Sequence, residues 1–121
     1  MGQTRVGAIS PRVKELLCMG CDDNTPIYLG SANIAHMQAK HPREYRKYGA
    51  CIGRILATPD YVGTNPTDGS VEYVKEFVVE QEYVKVAVRV SGGNTFYARS
   101  MYVLRNNRVH NFVEKGTLKR V

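Results

Sequence analysis

Two histidines stand five residues apart in the segment Ile34-Ala-His-Met-Gln-Ala-Lys-His-Pro42, and three cations, Lys75, Arg89 and Arg99, punctuate the apolar second half of the chain. A free imidazole titrates near neutral pH, so it can take a proton from one group and return it to another during hydrolysis or transesterification. Guanidinium groups hold phosphate oxygens bidentately, and several aimed at one point would stabilise charge building on a phosphorane. On an ideal helix His36 and His41 fall ~140° apart, so they are not a metal-binding pair on one face. Spacing alone equally allows an exposed or core-satisfied His36 and a His41 that is only a polar helix end.

The cations differ in setting. Lys75 lies between Tyr73 and Phe77 on the same side of its strand, where an unpaired ammonium is costly to bury. Something must pair it, or its stem packs while its head reaches a sheet edge. Arg89 falls on the face opposite Val84, Val86, Val88 and Val90. Ser100 and Tyr102 alternate with Arg99, so these hydroxyls and that guanidinium cannot line one site without a bulge. Tyrosines, Tyr97 and Tyr102 among them, offer stacking surfaces, although at strand spacing they also serve as core and rim. Cys18-Met-Gly-Cys21 has the spacing of half a zinc knuckle, but no second pair follows, and Cys51 with His36 or His41 would have to complete the set. Three reduced thiols are the simpler reading.

The elements that must position these groups are read from periodicity. Ser10-Pro11 starts a helix whose apolar stripe is Val13, Leu16 and Leu17, and Ile27-Tyr28-Leu29 is a brief extended piece. Ser31 caps a second helix carrying Ile34 and Met37, and Pro42 stops it or begins the next turn. Ile52, Ile55 and Leu56 form the stripe of a third helix after Gly49, and the helical part is expected to end by residue 58. From residue 71 the period becomes two: strands are expected over 71–79, 83–91 and 95–104, with a last one over 108–113. Asp68-Gly69 and Gly92-Gly93-Asn94 supply turns. The class is α+β, with N-terminal helices packed on one face of a roughly four-stranded antiparallel sheet.

At 121 residues and 43% hydrophobic content the chain fits one domain, residues 1–121, that buries a core without disulfides or metal. Its longest apolar run, Met101–Leu104, is far short of the ~20 residues of a spanning helix, and the first ten residues hold no signal core, so a cytoplasmic protein with no membrane contact is expected. The net charge of +6 favours an anionic partner. The excess sits in two segments: five basic against two acidic residues in 31–60, and six against one in 91–121.

Thr25-Pro-Ile-Tyr-Leu-Gly30, Ile34–Pro42, Pro59-Asp-Tyr-Val-Gly-Thr-Asn-Pro66, Ser70-Val-Glu-Tyr-Val-Lys75, Val86-Ala-Val-Arg-Val-Ser91 and Ala98-Arg-Ser-Met-Tyr-Val-Leu104 together resemble the phage-associated group of barnase/EndoU/colicin/RelE-like (BECR) nucleases, in matching order over nearly the whole chain. The resemblance implies a small domain of phages and mobile elements, with helices preceding a four-stranded antiparallel sheet, that cleaves RNA without metal or cofactor. It carries over His36, His41, Lys75, Arg89, Arg99 and Ser100 as site residues. The implied reaction is attack of an RNA 2′-hydroxyl on the adjacent phosphate to leave a 2′,3′-cyclic phosphate. His36 and His41 would then serve as base and acid in either order, and Arg89, Arg99 and Lys75 would bind phosphate. RNA and an antitoxin-like or immunity protein are the implied partners. Two other readings stand beside it: a non-catalytic RNA- or protein-binding module on the same fold, and a zinc-stabilised interaction domain built on Cys18 and Cys21.

Overall fold

The computed structural model describes residues 2–90 and 95–121, so the expected turn Gly92-Gly93-Asn94 lies outside the described residues. Strand β1 (Gln3–Ile9) leads into helix α1 (Pro11–Leu17). The N-cap is Ser10, whose Oγ accepts from the Val13 N–H at 3.2 Å, and Pro11 fills the first helical position, where no N–H bond is lost. Strand β2 (Thr25–Gly30) runs directly into helix α2 (Ser31–Lys40). Gly30, not Ser31, is the N-cap. The Asn33 Oδ1 reaches back to accept from the Gly30 N–H at 2.8 Å, the return half of a capping box, so Ser31 becomes the first helical residue. Pro42 opens helix α3 (Pro42–Tyr48), and a single 3-10 turn over Gly49–Cys51 precedes helix α4 (Ile52–Ala57).

Strands β3 (Tyr61–Thr64), β4 (Val71–Phe77), β5 (Glu82–Val90) and β6 (Phe96–Leu104) follow, then helix α5 (Asn106–Glu114) and strand β7 (Leu118–Arg120). The sheet corrects the four-stranded expectation: seven strands are ordered β1-β2-β6-β5-β4-β3-β7, and β2 joins β6 in parallel. Three of the added strands are short or lie at an edge. Exposed Gln3, Thr4 and Arg5 hide the alternation of β1. At the other edge a Cβ on Gly63 would stand 2.2 Å from the Thr117 carbonyl oxygen, so β7 reaches β3 only because that residue is glycine.

Helices cover both faces of the sheet, not one. On one face Val84, Val86, Val88, Tyr73, Ala98 and Met101 pack with Ile52 and Ile55 of α4, Val13 of α1 and Met37 of α2. On the other, Val74, Tyr83 and Leu104 pack with Val109 and the half-buried Phe112 of α5 and with Leu118. The expected strand over 108–113 is therefore a helix. Val109 and Phe112 share a face at a spacing of three, whereas Val113, which a period-two reading pairs with Val109, is 37% exposed.

Tyr73 is fully buried, and its hydroxyl has no hydrogen-bond partner among the described residues. Burial pushes its pKa far above that of a free phenol. A stranded buried hydroxyl costs about 1–3 kcal/mol, so Tyr73→Phe is expected to raise the unfolding free energy measured by urea titration. A fall in stability would show that the hydroxyl has a partner.

Candidate functional site

The condition set by alternation on β6 is met by a break in register. Ala87 of β5 pairs with Ser100, but the next residue, Val88, pairs with Ala98, leaving Arg99 as an extra residue on β6. A bulge of this kind re-aims a side chain. Arg99 and Ser100, neighbours that regular pleating would send to opposite faces, here line the same cleft of about 160 Å³ with His36, Asp68, Ser70, Ala87 and Arg89.

Helix α2 brings in the histidine. Strand β2 pairs with β6 at Ile27 with Phe96 and Tyr28 with Tyr97, and α2 and α3 both pack against β6. Met37 is fully buried and anchors α2, while its neighbour His36 is exposed at the cleft. Two of the expected site residues lie elsewhere. His41 stacks on the Tyr102 ring at 5.2 Å and flanks the cleft without lining it. Lys75 is on the opposite face of β4, paired with Val84, and its Nζ donates to the Thr58 carbonyl at 2.7 Å just past α4. That bond provides the partner its apolar strand face demanded and removes it from the arginines.

The cleft also holds the Asp68 carboxylate, which the sequence presented only as part of a turn, and the Ser70 hydroxyl. Asp68 Oδ1 accepts from the Ser70 N–H at 2.9 Å and from its hydroxyl at 2.7 Å. These bonds, with smaller help from the charges of Arg89 and Lys85, hold the Asp68 carboxyl below the usual carboxylate range. The turn is tied down from beneath. Asn65 Oδ1 accepts from the Thr67 N–H at 2.8 Å, and its Nδ2 donates to Glu72 at 3.2 Å. Glu72 is in turn paired with Lys85 at 2.7 Å, both side chains 8% exposed, and the Lys85 ammonium sits 4.6 Å from the centre of the Tyr102 ring. Desolvation draws the Lys85 pKa down, but the bonds to Glu72 and Tyr102 more than offset it and keep the ammonium charged. A chain of contacts from His41 through Tyr102, Lys85, Glu72 and Asn65 thus underlies the turn that presents Asp68 and Ser70.

Much of the positive excess is engaged away from the cleft: Lys47 with Glu82 at 2.8 Å, Lys119 on the Leu16 carbonyl, and Arg120 over the Tyr61 ring. Arg89 and Arg99 are exposed, and among the described residues neither is ion-paired. Among those residues, too, no three His, Cys, Asp or Glu side chains are grouped to hold a metal ion, so Cys18 and Cys21 gain no completed ligand set. No helix among them is long and apolar enough to cross a membrane.

The family model for the phage-Barnase-EndoU-ColicinE5/D-RelE like nuclease 3 group matches residues 4–111. The chain belongs to that family. Every residue lining the cleft falls inside the matched segment, and residues 1–3 and 112–121, β7 among the latter, lie beyond it. No curated protein and no solved structure matches the chain. Membership in this phage BECR nuclease family gives nuclease as the general activity, and the cleft is where the His36 imidazole, the Arg89 and Arg99 guanidiniums and the Asp68 carboxylate stand together.

Proposed function

We propose that the chain is a metal-independent endoribonuclease whose reacting phosphate sits between Arg89 and Arg99. The observation that carries the reading is the β6 bulge, which turns Arg99 into the cleft that Arg89, Ser100 and His36 already line. Guanidiniums there bind the non-bridging oxygens and oppose the charge that grows on the pentacovalent phosphorus, and the Ser100 hydroxyl donates a further hydrogen bond. In-line attack needs a base on one side and an acid on the other. The Asp68 carboxylate, the one acidic group lining the cleft among the described residues, fits the role of base, leaving His36 as the acid. The 2′-hydroxyl proton passes to Asp68, the 2′-oxygen bonds to phosphorus, and the bond from phosphorus to the 5′-oxygen breaks as His36 protonates that oxygen. The products are a 2′,3′-cyclic phosphate and a free 5′-hydroxyl. His41 supports the floor of the cleft through Tyr102.

The test is incubation of a single-stranded RNA oligonucleotide with the purified chain in excess EDTA, with product ends identified by mass spectrometry. Cyclic phosphate ends, and no cleavage of the DNA oligonucleotide of the same sequence, are expected because the nucleophile is the 2′-oxygen. Cleavage of the DNA, or RNA binding without cleavage, overturns the reading.

A further inference from the structure

A second pocket of about 400 Å³ adjoins the cleft and shares its two arginines, which stand between them. Its other walls include Gln3 of β1, Asn33 near the start of α2 and Tyr97 of β6. The volume is that of a site for one small ligand. Hydrogen bonds within the protein decide what the pocket can offer. The Gly30 N–H occupies the Asn33 Oδ1 at 2.8 Å, and the Tyr97 hydroxyl donates to the Gln3 Oε1 at 2.9 Å. Each amide oxygen already accepts one bond, and among the described residues neither NH₂ group has a partner, so the amides offer donors beside two guanidiniums that can only donate. The nearby Gly2 carbonyl is occupied as well, accepting from the Ser31 N–H at 2.6 Å. Tyr97 packs against Tyr28, with ring centres 6.3 Å apart, and gives the pocket an aromatic wall.

We propose that this pocket holds the nucleotide next to the scissile phosphate and selects uracil or guanine, with a keto oxygen at C4 or C6, over cytosine and adenine, which carry an amino group at those positions. The inference rests on the reading that the cleft takes an RNA phosphate. Its logic is complementarity: uracil O4 and guanine O6 and N7 are acceptors that meet the Asn33 and Gln3 NH₂ groups, whereas the amino groups of adenine and cytosine set donor against donor. The Tyr97 ring supplies stacking that any base can use, so stacking contributes affinity and the amides contribute selectivity.

The test measures calorimetric binding of uridine, guanosine, adenosine and cytidine 5′-monophosphates to the full chain and to its Asn33→Asp variant. Uridine and guanosine nucleotides are expected to bind about tenfold more tightly than the other two. Asn33→Asp keeps an oxygen that caps Gly30 and replaces the NH₂ donor with a negatively charged acceptor, so it is expected to weaken binding of all four nucleotides and to abolish the preference among them while the melting temperature holds or rises. Gln3→Glu, at an exposed position on β1, is expected to weaken the preference independently. Equal binding of all four nucleotides, no saturable binding at millimolar concentration, or a preference unchanged in Asn33→Asp overturns the proposal. RNA left uncleaved by a chain that still discriminates keto bases supports the pocket and sinks only the nuclease reading. Cleavage indifferent to the neighbouring base, with no discrimination among the nucleotides, sinks only the pocket.

Discussion

With His36 replaced by alanine, RNA cleavage is expected to fall about 10²–10⁴-fold, the usual worth of a positioned proton donor, while stability moves by no more than about 0.5 kcal/mol. The two halves of that expectation come from neighbouring residues. His36 is exposed at the cleft, so its side chain contributes little to folding, whereas the adjacent Met37 is fully buried and holds α2 in place. Arg99→Ala acts on the same step and is expected to cost about 10²–10³-fold. Arg99→Lys should recover little of this, because a point charge does not reproduce two parallel bonds to phosphate. The double variant should lose less than the product of the two single losses, since both groups serve one transition state. Single-turnover rates with circular dichroism melts check each point. A His36→Ala protein cleaving at the parental rate would remove the imidazole from the mechanism.

Glu72→Ala is expected to lower the unfolding free energy by about 3–5 kcal/mol, the cost of leaving a buried charge without its partner. Against the 5–15 kcal/mol that typically separates folded from unfolded chains, that is a large share. The Lys85 ammonium, 8% exposed on its side chain, would keep only the face of Tyr102 in place of a carboxylate 2.7 Å away. Removing both charges, as in Glu72→Leu with Lys85→Met, should restore much of the stability, because well-packed apolar residues often replace buried ion pairs without loss. Activity should stay low in that double variant. Asn65 would still lack the Glu72 oxygen that fixes the turn presenting Asp68 and Ser70. Urea titrations and cleavage rates on the same samples separate the two effects. A loss below about 1 kcal/mol in Glu72→Ala would show that Lys85 reaches solvent when freed.

The parts of the fold visible in the sequence are those where one periodicity is strong and local. Val84, Val86 and Val88 are buried on one face of β5 as their alternation requires, and Ser10 with Pro11 starts α1. Strand β3 is four residues and β7 three, too short to establish a period, and each depends on a partner distant in sequence. Arg108–Val113 contains valines at odd positions, which imitates a strand, and only packing of Val109 with Phe112 against the sheet decides for a helix. In the cleft, residue chemistry pointed to His36, Arg89 and Arg99 and the family resemblance added Ser100, but nothing in Tyr97-Ala-Arg-Ser100, which has no glycine or proline, marks the bulge that unites the last two. Lys75 has the same charge and strand context as the arginines, yet strand parity turns it toward Thr58. Asp68 carries a turn signal strong enough to mask its place beside the cations.

The parallel join of β2 to β6 spans two residue pairs among the described residues, yet it ties Ile27 and Tyr28 to Phe96 and Tyr97 across most of the chain. Contacts so remote in sequence form only after the entropy of closing a long loop has been overcome. During synthesis α2, with its histidine, leaves the ribosome long before either arginine, and a chain that stops short of β6 contains His36 without any cleft around it. The topology therefore makes the cleft wait on β6, and a product truncated before Phe96 is expected to lack it.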